Sequence, residues 1–134
     1  MARYIAFDWG RVRTGIAVSD SVGIIASPHS TVSTSDLNTT VDLLVKEEPC
    51  AAFVVGVPGL IIGSSTDSSE GIAKFITHLG TKYPTLPLHK VDESSTSYEA
   101  MDALISGGMK KSKRREKGSL DKVAAALILQ RFLK

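Results

Sequence analysis

Apolar positions in the first quarter of the chain alternate with polar ones or cluster in short runs, as is typical of β-strands. This pattern predicts strands at residues 3–9, 14–20 and 23–32, the first two joined through the Gly10–Arg13 turn. Three successive strands with short connections favour an antiparallel meander.

Further along the chain, helical and strand patterns alternate. A helical stripe begins at Leu37 and stops before Pro49, and a continuous apolar run at 51–57 predicts a strand covered on both faces. A second helix is predicted over 67–83 and a fifth strand over 86–91. We therefore expect one α/β domain, residues 1–134, with a mixed five-stranded sheet.

The last third of the chain predicts two helices separated by a charged loop. A capping box at Thr96–Glu99 starts the first helix, which stops at Gly107. Residues 109–118 are too charged to pack and are predicted to be an exposed loop. Ser119 is the predicted N-cap of the final helix.

Composition and charge narrow the function classes. With 43% hydrophobic residues, no long apolar run and no signal-peptide pattern, the chain is expected to be cytoplasmic and independent of membranes. The single cysteine, Cys50, excludes an internal disulfide and is interpreted as a small buried hydrophobe. The net charge of +2 divides into +7 over residues 110–134 and −5 over residues 1–109. The basic quarter predicts an anionic partner, with a solubilising loop as the alternative.

Three carboxylates stand at the ends of otherwise apolar elements. Asp8 lies on the first strand, close to its end, on the face of Tyr4 and Ala6, because side chains alternate along a strand. Glu93 follows the fifth strand, and Asp121 begins the apolar stripe of the last helix. Ionised carboxylates at such positions are costly unless they are paired.

Each acid also has an ordinary structural interpretation. Asp8 fits an acceptor of backbone N–H groups from the Gly10 turn, Glu93 a solvated strand end, and Asp121 a favourable charge near a helix N-terminus. Considered together, acids that converge without enough basic partners repel one another unless hard cations such as Mg²⁺ bridge them. Two such ions roughly 4 Å apart activate water and stabilise the leaving oxygen of a phosphodiester. Spacing alone leaves their convergence open.

Four segments of the chain resemble the YqgF family: FDWGRVRTGIAVSD (7–20), FVVGVP (53–58), VDESSTSYEA (91–100) and GSLDKVAAALIL (118–129). They occur in the family's order and spacing over essentially the whole chain. Members are RNase H-like proteins described as Holliday junction resolvases and as nucleases that mature the 5′ end of the 16S rRNA precursor. The resemblance implies an RNase H-like five-stranded mixed sheet flanked by helices, and a nuclease dependent on Mg²⁺ or Mn²⁺ that acts in ribosome biogenesis.

Carried over by position, the resemblance implies that the catalytic and metal-binding acids are Asp8, Glu93 and Asp121. The chain departs from the family pattern at Ser94, where the family usually has Arg, and at Val12, where a basic residue is typical. In the loop 59–64, Leu60 and Ile62 replace an Asn and an Asp. These departures bear on efficiency and substrate preference more than on the metal chemistry.

Basic side chains near these acids are expected to bind phosphates: Arg11, Arg13, Lys110, Lys111, Lys113, Arg114, Arg115 and Lys117. Trp9 is the only tryptophan, and aromatic residues for stacking unpaired bases are few. Recognition of backbone and shape is therefore expected rather than reading of bases. The expected partners are structured RNA, branched DNA or a ribosome precursor, and the protein is expected to be a monomer or weak homodimer.

Two other function classes compete with the nuclease. The first motif also resembles the phosphate loop of actin-like ATPases and sugar kinases, but 134 residues do not supply their second domain. A non-catalytic RNA- or ribosome-binding protein, or a transcription antitermination factor, is the rival outside enzymes. The altered loop 59–64 and Ser94 favour that rival.

Overall fold

The computed structural model describes residues 2–57, 67–92 and 117–133. They contain a five-stranded sheet with the order β3-β2-β1-β4-β5. The strands are β1 (Arg3–Asp8), β2 (Arg13–Ser19), β3 (Ala26–Ser33), β4 (Cys50–Val57) and β5 (Leu88–Asp92). The helices are α1 (Leu37–Glu47), α2 (Asp67–Lys82) and α3 (Lys117–Leu133), and a short 3-10 turn (Thr34–Asp36) precedes α1.

The pairing of the strands divides the sheet into two halves. β1 is antiparallel to β2 and β2 is antiparallel to β3, which confirms the predicted meander. β4 lies parallel to β1, and β5 lies parallel to β4. Since β1, β4 and β5 run in the same direction, they end together at one edge of the sheet, at Asp8, Val57 and Asp92. We call this the carboxyl edge.

Each face of the sheet buries its own apolar core. On one face, Ile5, Phe7 and Phe53 pack with the inward stripes of α1 and α2, and Phe7 meets Phe75 edge to face at 5.1 Å. On the other face, Ala6, Ala17, Val54, Ala125, Ile128 and Leu129 pack together beneath α3. The alanines of β1 and β2 allow α3 to lie close to the sheet. β4 is covered on both faces, as its continuous apolar run predicts.

Several predicted element boundaries differ from the structure by one to three residues, and β5 begins at Leu88 rather than at residue 86. β3 begins at Ala26 rather than at residue 23, because Asp20 Oδ1 accepts the N–H groups of Ile24 (2.7 Å) and Ile25 (3.1 Å) in the hairpin loop. Gly23 has a φ of 71° there, a conformation that glycine adopts without strain. The last helix begins at Lys117, two residues before the predicted cap, since capping signals locate helix ends only to within a residue or two.

Several predicted features lie outside the described residues: the loop after Pro58, the helix from Thr96 and most of the basic segment before α3. Among the helices that the structure describes, none is long and apolar enough to cross a membrane.

Candidate functional site

Asp8 is the last residue of β1 and lies on the α3 side of the sheet. Its Cα partner on the antiparallel neighbour β2 is Gly15, and the pair two residues earlier is Ala6 with Ala17, both beneath α3. Since alternate strand residues share a face, Asp8 continues the row of Tyr4 and Ala6, as the sequence predicts. The acid therefore stands where this row reaches the carboxyl edge.

Gly15 connects Asp8 to the beginning of α3. A Cβ atom on Gly15 would lie 2.0 Å from the backbone oxygen of Asp121 and 2.9 Å from the backbone nitrogen of Lys122. No side chain fits at position 15. Because Gly15 has none, the first turns of α3 pack directly against β2. The same glycine is thus the strand partner of Asp8 and the contact of Asp121. The structure therefore places the residues of these two predicted acids next to the same glycine.

Asp121 forms an ion pair with Arg13, the first residue of β2. Arg13 Nε donates to Asp121 Oδ2 at 3.2 Å, and the two side chains are 39% and 26% exposed. A charge-assisted hydrogen bond in this partly screened position holds the carboxylate toward β2. The sequence assigned Arg13 to phosphate binding and gave no signal for this pairing, because the two residues are 108 positions apart.

The loop between Asp8 and β2 is tied to the 3-10 turn before α1. Thr34 Oγ1 donates to the carbonyl of Gly10 at 2.5 Å, and the Thr34 N–H donates to the carbonyl of Val12 at 2.9 Å. A Cβ on Gly10 would meet the carbonyl oxygen of Arg13 at 2.3 Å, so the turn is tight. These contacts fix the segment that carries Arg11 and Arg13. Arg11 itself is exposed.

The remaining predicted site residues are only partly covered by the structure. Glu93 lies outside the described residues, but β5 ends one position before it, at Asp92, which is the Cα partner of Val57. Lys117 is the first residue of α3. The other basic residues of that segment are outside the described part of the chain: Lys110, Lys111, Lys113, Arg114 and Arg115.

The donor chemistry at the carboxyl edge suits a hard divalent cation. Asp8 and Asp121 offer carboxylate oxygens, the ligands that Mg²⁺ and Mn²⁺ prefer. Within residues 2–57, 67–92 and 117–133, no group of three or more acidic, histidine or cysteine side chains is close enough together to hold a metal ion. Of the three implied acids, Asp8 and Asp121 lie in the described part of the chain and Glu93 lies outside it.

Two other residues with reactive side chains have structural roles. His89 pairs with Val54 across the sheet and its ring lies 4.6 Å from that of Phe132, so it packs between the sheet and α3. Burial raises the pKa of the Cys50 thiol to about 11, and Sγ contacts the carbonyl of Ala52 at 3.5 Å. At neutral pH this thiol is protonated and a poor nucleophile.

A mixed sheet of this order, with a helix packed over its meander and acids at its carboxyl edge, defines an RNase H-like α/β protein. The chain belongs to the family described as RuvX: Holliday junction resolvase, which matches residues 2–134. This confirms the resemblance found in the sequence motifs.

Relatives of similar length share the whole chain. Proteins named "Putative pre-16S rRNA nuclease" from Christiangramia forsetii and Amoebophilus asiaticus are 38% and 42% identical to it over 133 residues. The alignments cover 99% of this chain and 98% and 94% of those proteins.

Solved structures confirm the predicted fold. Thermus thermophilus RuvC in complex with a Holliday junction substrate matches 96% of this chain and 92% of its own, with a TM-score of 0.59 and 15% identity. The yeast mitochondrial Holliday junction resolvase Ydc2 matches with a TM-score of 0.59 and 14% identity, over 98% of this chain and 78% of its own. Both likenesses concern the fold.

Proposed function

We propose that this protein is a metal-dependent nuclease that hydrolyses phosphodiester bonds in structured nucleic acid, and that its substrate is the 5′ end of the pre-16S rRNA. The observation that carries the proposal is the contact of Gly15 with α3. Through it, the turn of α3 that carries Asp121 packs against the strand partner of Asp8, although the two acids lie 113 positions apart in the sequence. A purely structural role for either acid does not require that these two segments lie side by side.

The acids are proposed to bind Mg²⁺ or Mn²⁺. Glu93 is the proposed third ligand, because one peptide unit of about 3.8 Å separates its Cα from that of Asp92 at the same edge. Ions held there would supply an activated water and would compensate the negative charge that develops on the phosphate. The roles of Asp8, Glu93 and Asp121 are to hold these ions at the carboxyl edge.

The basic residues are proposed to position the nucleic acid. Arg13 is held by Asp121 beside the site, and Arg11 is exposed on the same loop. Lys117 stands four positions before Asp121 in the chain and the other basic residues precede it, so we propose that they bind phosphates that flank the cleaved bond. Neutralising these phosphates makes binding dependent on salt, with about one unit of slope for each phosphate.

The RNA substrate is favoured by the names of the full-length relatives, which are 36–42% identical to this chain. Branched DNA is the second candidate, because the family is described as Holliday junction resolvases and RuvC shares the fold.

A cleavage assay with both substrates tests the proposal. Wild type, Asp8→Asn and Asp42→Asn are incubated with a 5′-extended 16S precursor RNA and with a four-way DNA junction, in Mg²⁺, in Mn²⁺ and in chelator. Asp42 lies on α1, bonded to Lys82 and Tyr83 and away from the carboxyl edge, so its variant is the matched control.

We expect cleavage of the RNA by wild type and by Asp42→Asn, abolished by chelator and reduced about 100-fold or more in Asp8→Asn. If the protein cleaved the DNA junction and not the RNA, its proposed substrate would be branched DNA. Binding without cleavage by wild type and Asp8→Asn alike would support the non-catalytic alternative.

A further inference from the structure

A groove opens on the opposite face of the sheet from Asp8, directly behind the carboxyl edge. Because side chains alternate along the chain, Trp9 is directed away from the α3 side and toward α2. Its indole borders a space of about 320 Å³, within the lower range of small-ligand sites. The groove is also lined by Thr34, Asn38, Gly71, Lys74 and His78.

A glycine of α2 determines the position of the Trp9 indole. A Cβ on Gly71 would lie 2.1 Å from the Cη2 atom of Trp9, so any larger residue at this helix position would displace the ring. A glycine within a helix is less favourable than an alanine. At this position the glycine leaves room for the indole ring of Trp9, which is thereby held at the groove.

Beside the apolar Leu37 and Phe75, the lining carries polar side chains, and two of them, Lys74 and His78, are of types that bind phosphate. Lys74 and His78 lie one turn apart on α2, on the same side of the helix as Gly71. Lys74 is paired with Glu70 at 3.4 Å, but both side chains are more than three-quarters exposed, so this pair is weak and readily exchanged. Asn38 and Thr34 add hydrogen-bonding groups from the α1 side.

The groove is joined to the acid site through the loop after β1. Thr34, which lines the groove, donates to the carbonyl of Gly10 and binds the Thr14 hydroxyl at 2.9 Å. Trp9 is also the residue next to Asp8. A strand whose phosphate lies at the acids therefore has the groove within reach for a neighbouring nucleotide.

We propose that this groove, here called the Trp9 groove, binds one unpaired nucleotide of the substrate strand beside the cleaved bond. The base stacks on Trp9, and its phosphate is bound by Lys74 and His78. The proposal rests on the proposed nuclease function and extends it, because it gives the protein a preference for single-stranded ends. It adds stacking on one aromatic side chain to the recognition of backbone and shape that the sequence predicts.

Trp9 provides the measurement directly, since it is the only tryptophan of the chain. Wild type in chelator is titrated with a short single-stranded RNA and with a blunt duplex of the same sequence while tryptophan emission is recorded. We expect saturable quenching by the single strand and little change with the duplex. Equal quenching by both, or none by the single strand, would overturn the proposal.

Variants separate stacking and phosphate binding from ordinary packing, with binding measured by anisotropy of a labelled RNA. Trp9→Leu is expected to bind the single strand about tenfold more weakly, and Trp9→Phe to stay within about threefold of wild type. Lys74→Gln is expected to lower the salt slope by about one, whereas the control Lys46→Gln on α1 leaves it unchanged. Lys74→Gln changes an exposed side chain and so tests the groove even where Trp9→Leu impairs folding.

Wild-type affinity in Trp9→Leu would show that Trp9 only packs against α2. Equal salt slopes for Lys74→Gln and Lys46→Gln would show that Lys74 binds no phosphate. Either result would overturn the proposal. Cleavage by a protein whose Trp9 emission does not respond would refute the groove and leave the nuclease intact. Quenching by the single strand without cleavage would support the groove and refute the nuclease.

Discussion

Arg13 donates a hydrogen bond to Asp121 at 3.2 Å and thereby links the start of β2 to the first turns of α3. The guanidinium compensates the charge of a proposed metal ligand. Since a divalent ion and Arg13 are both attracted to this carboxylate, removal of the arginine is expected to strengthen metal binding.

The first prediction concerns this pair. Arg13→Gln is expected to melt at a lower temperature than wild type in chelator and to gain more in melting temperature from Mg²⁺, because the ion replaces the lost positive charge. Differential scanning fluorimetry with and without Mg²⁺ measures both. Lys46→Gln, with the same change of charge on α1, is the control. An equal Mg²⁺ shift in all three proteins would contradict the competition.

The second prediction concerns the glycine between the acids. Gly15→Ala forces the backbone of α3 to move away from β2 and is expected to destabilise the protein by about 1–3 kcal/mol or more. Gly80→Ala in α2 has no atom within 4 Å of its new Cβ and is expected to stabilise by about 0.5–1 kcal/mol. Urea unfolding distinguishes them. A tolerated Gly15→Ala would mean that α3 does not rest on this position.

The third prediction concerns Asp42, which accepts bonds from Lys82 (2.5 Å) and from the hydroxyl of Tyr83. These bonds, with Lys82 the larger cause, hold the pKa of Asp42 below its usual value. A carboxyl whose pKa is depressed by folding stabilises above its unfolded pKa of about 3.9, and that stabilisation is lost as the pH falls through the folded pKa.

Asp42→Asn is therefore expected to melt below wild type at pH 6–7, with the difference narrowing below about pH 4. Thermal melting followed by circular dichroism across this pH range measures it. Asp36→Asn is the control, because the Asp36 side chain makes no cap hydrogen bond to α1. A difference that does not vary with pH would contradict the assigned role of Asp42.

The fourth prediction concerns Cys50. With its pKa raised to about 11 by burial, the thiol is expected to react slowly with iodoacetamide at pH 8 in the folded protein and much faster after unfolding. Alkylation followed by mass spectrometry measures both rates. Equal rates in the folded and unfolded protein would show that the thiol is exposed and ordinary.

The sequence predicted the elements near Asp8 well because their signals are local. Alternation along β1 places Asp8 on the side of Ala6, and the stripe of α3 places Asp121 toward the sheet; the structure has both. The sequence did not predict the ion pair between Arg13 and Asp121 or the packing of Trp9 against Gly71. Both join segments far apart in the chain, and neither changes the periodicity of its own element.

The central claim is that Asp8 and Asp121 hold a divalent ion at the carboxyl edge, and Mn²⁺ binding measured by electron paramagnetic resonance tests it most directly. We predict that Asp8→Asn and Asp121→Asn each bind Mn²⁺ at least about tenfold more weakly than wild type, while Asp42→Asn binds as wild type does. Unchanged Mn²⁺ affinity in both Asp8→Asn and Asp121→Asn would contradict the claim.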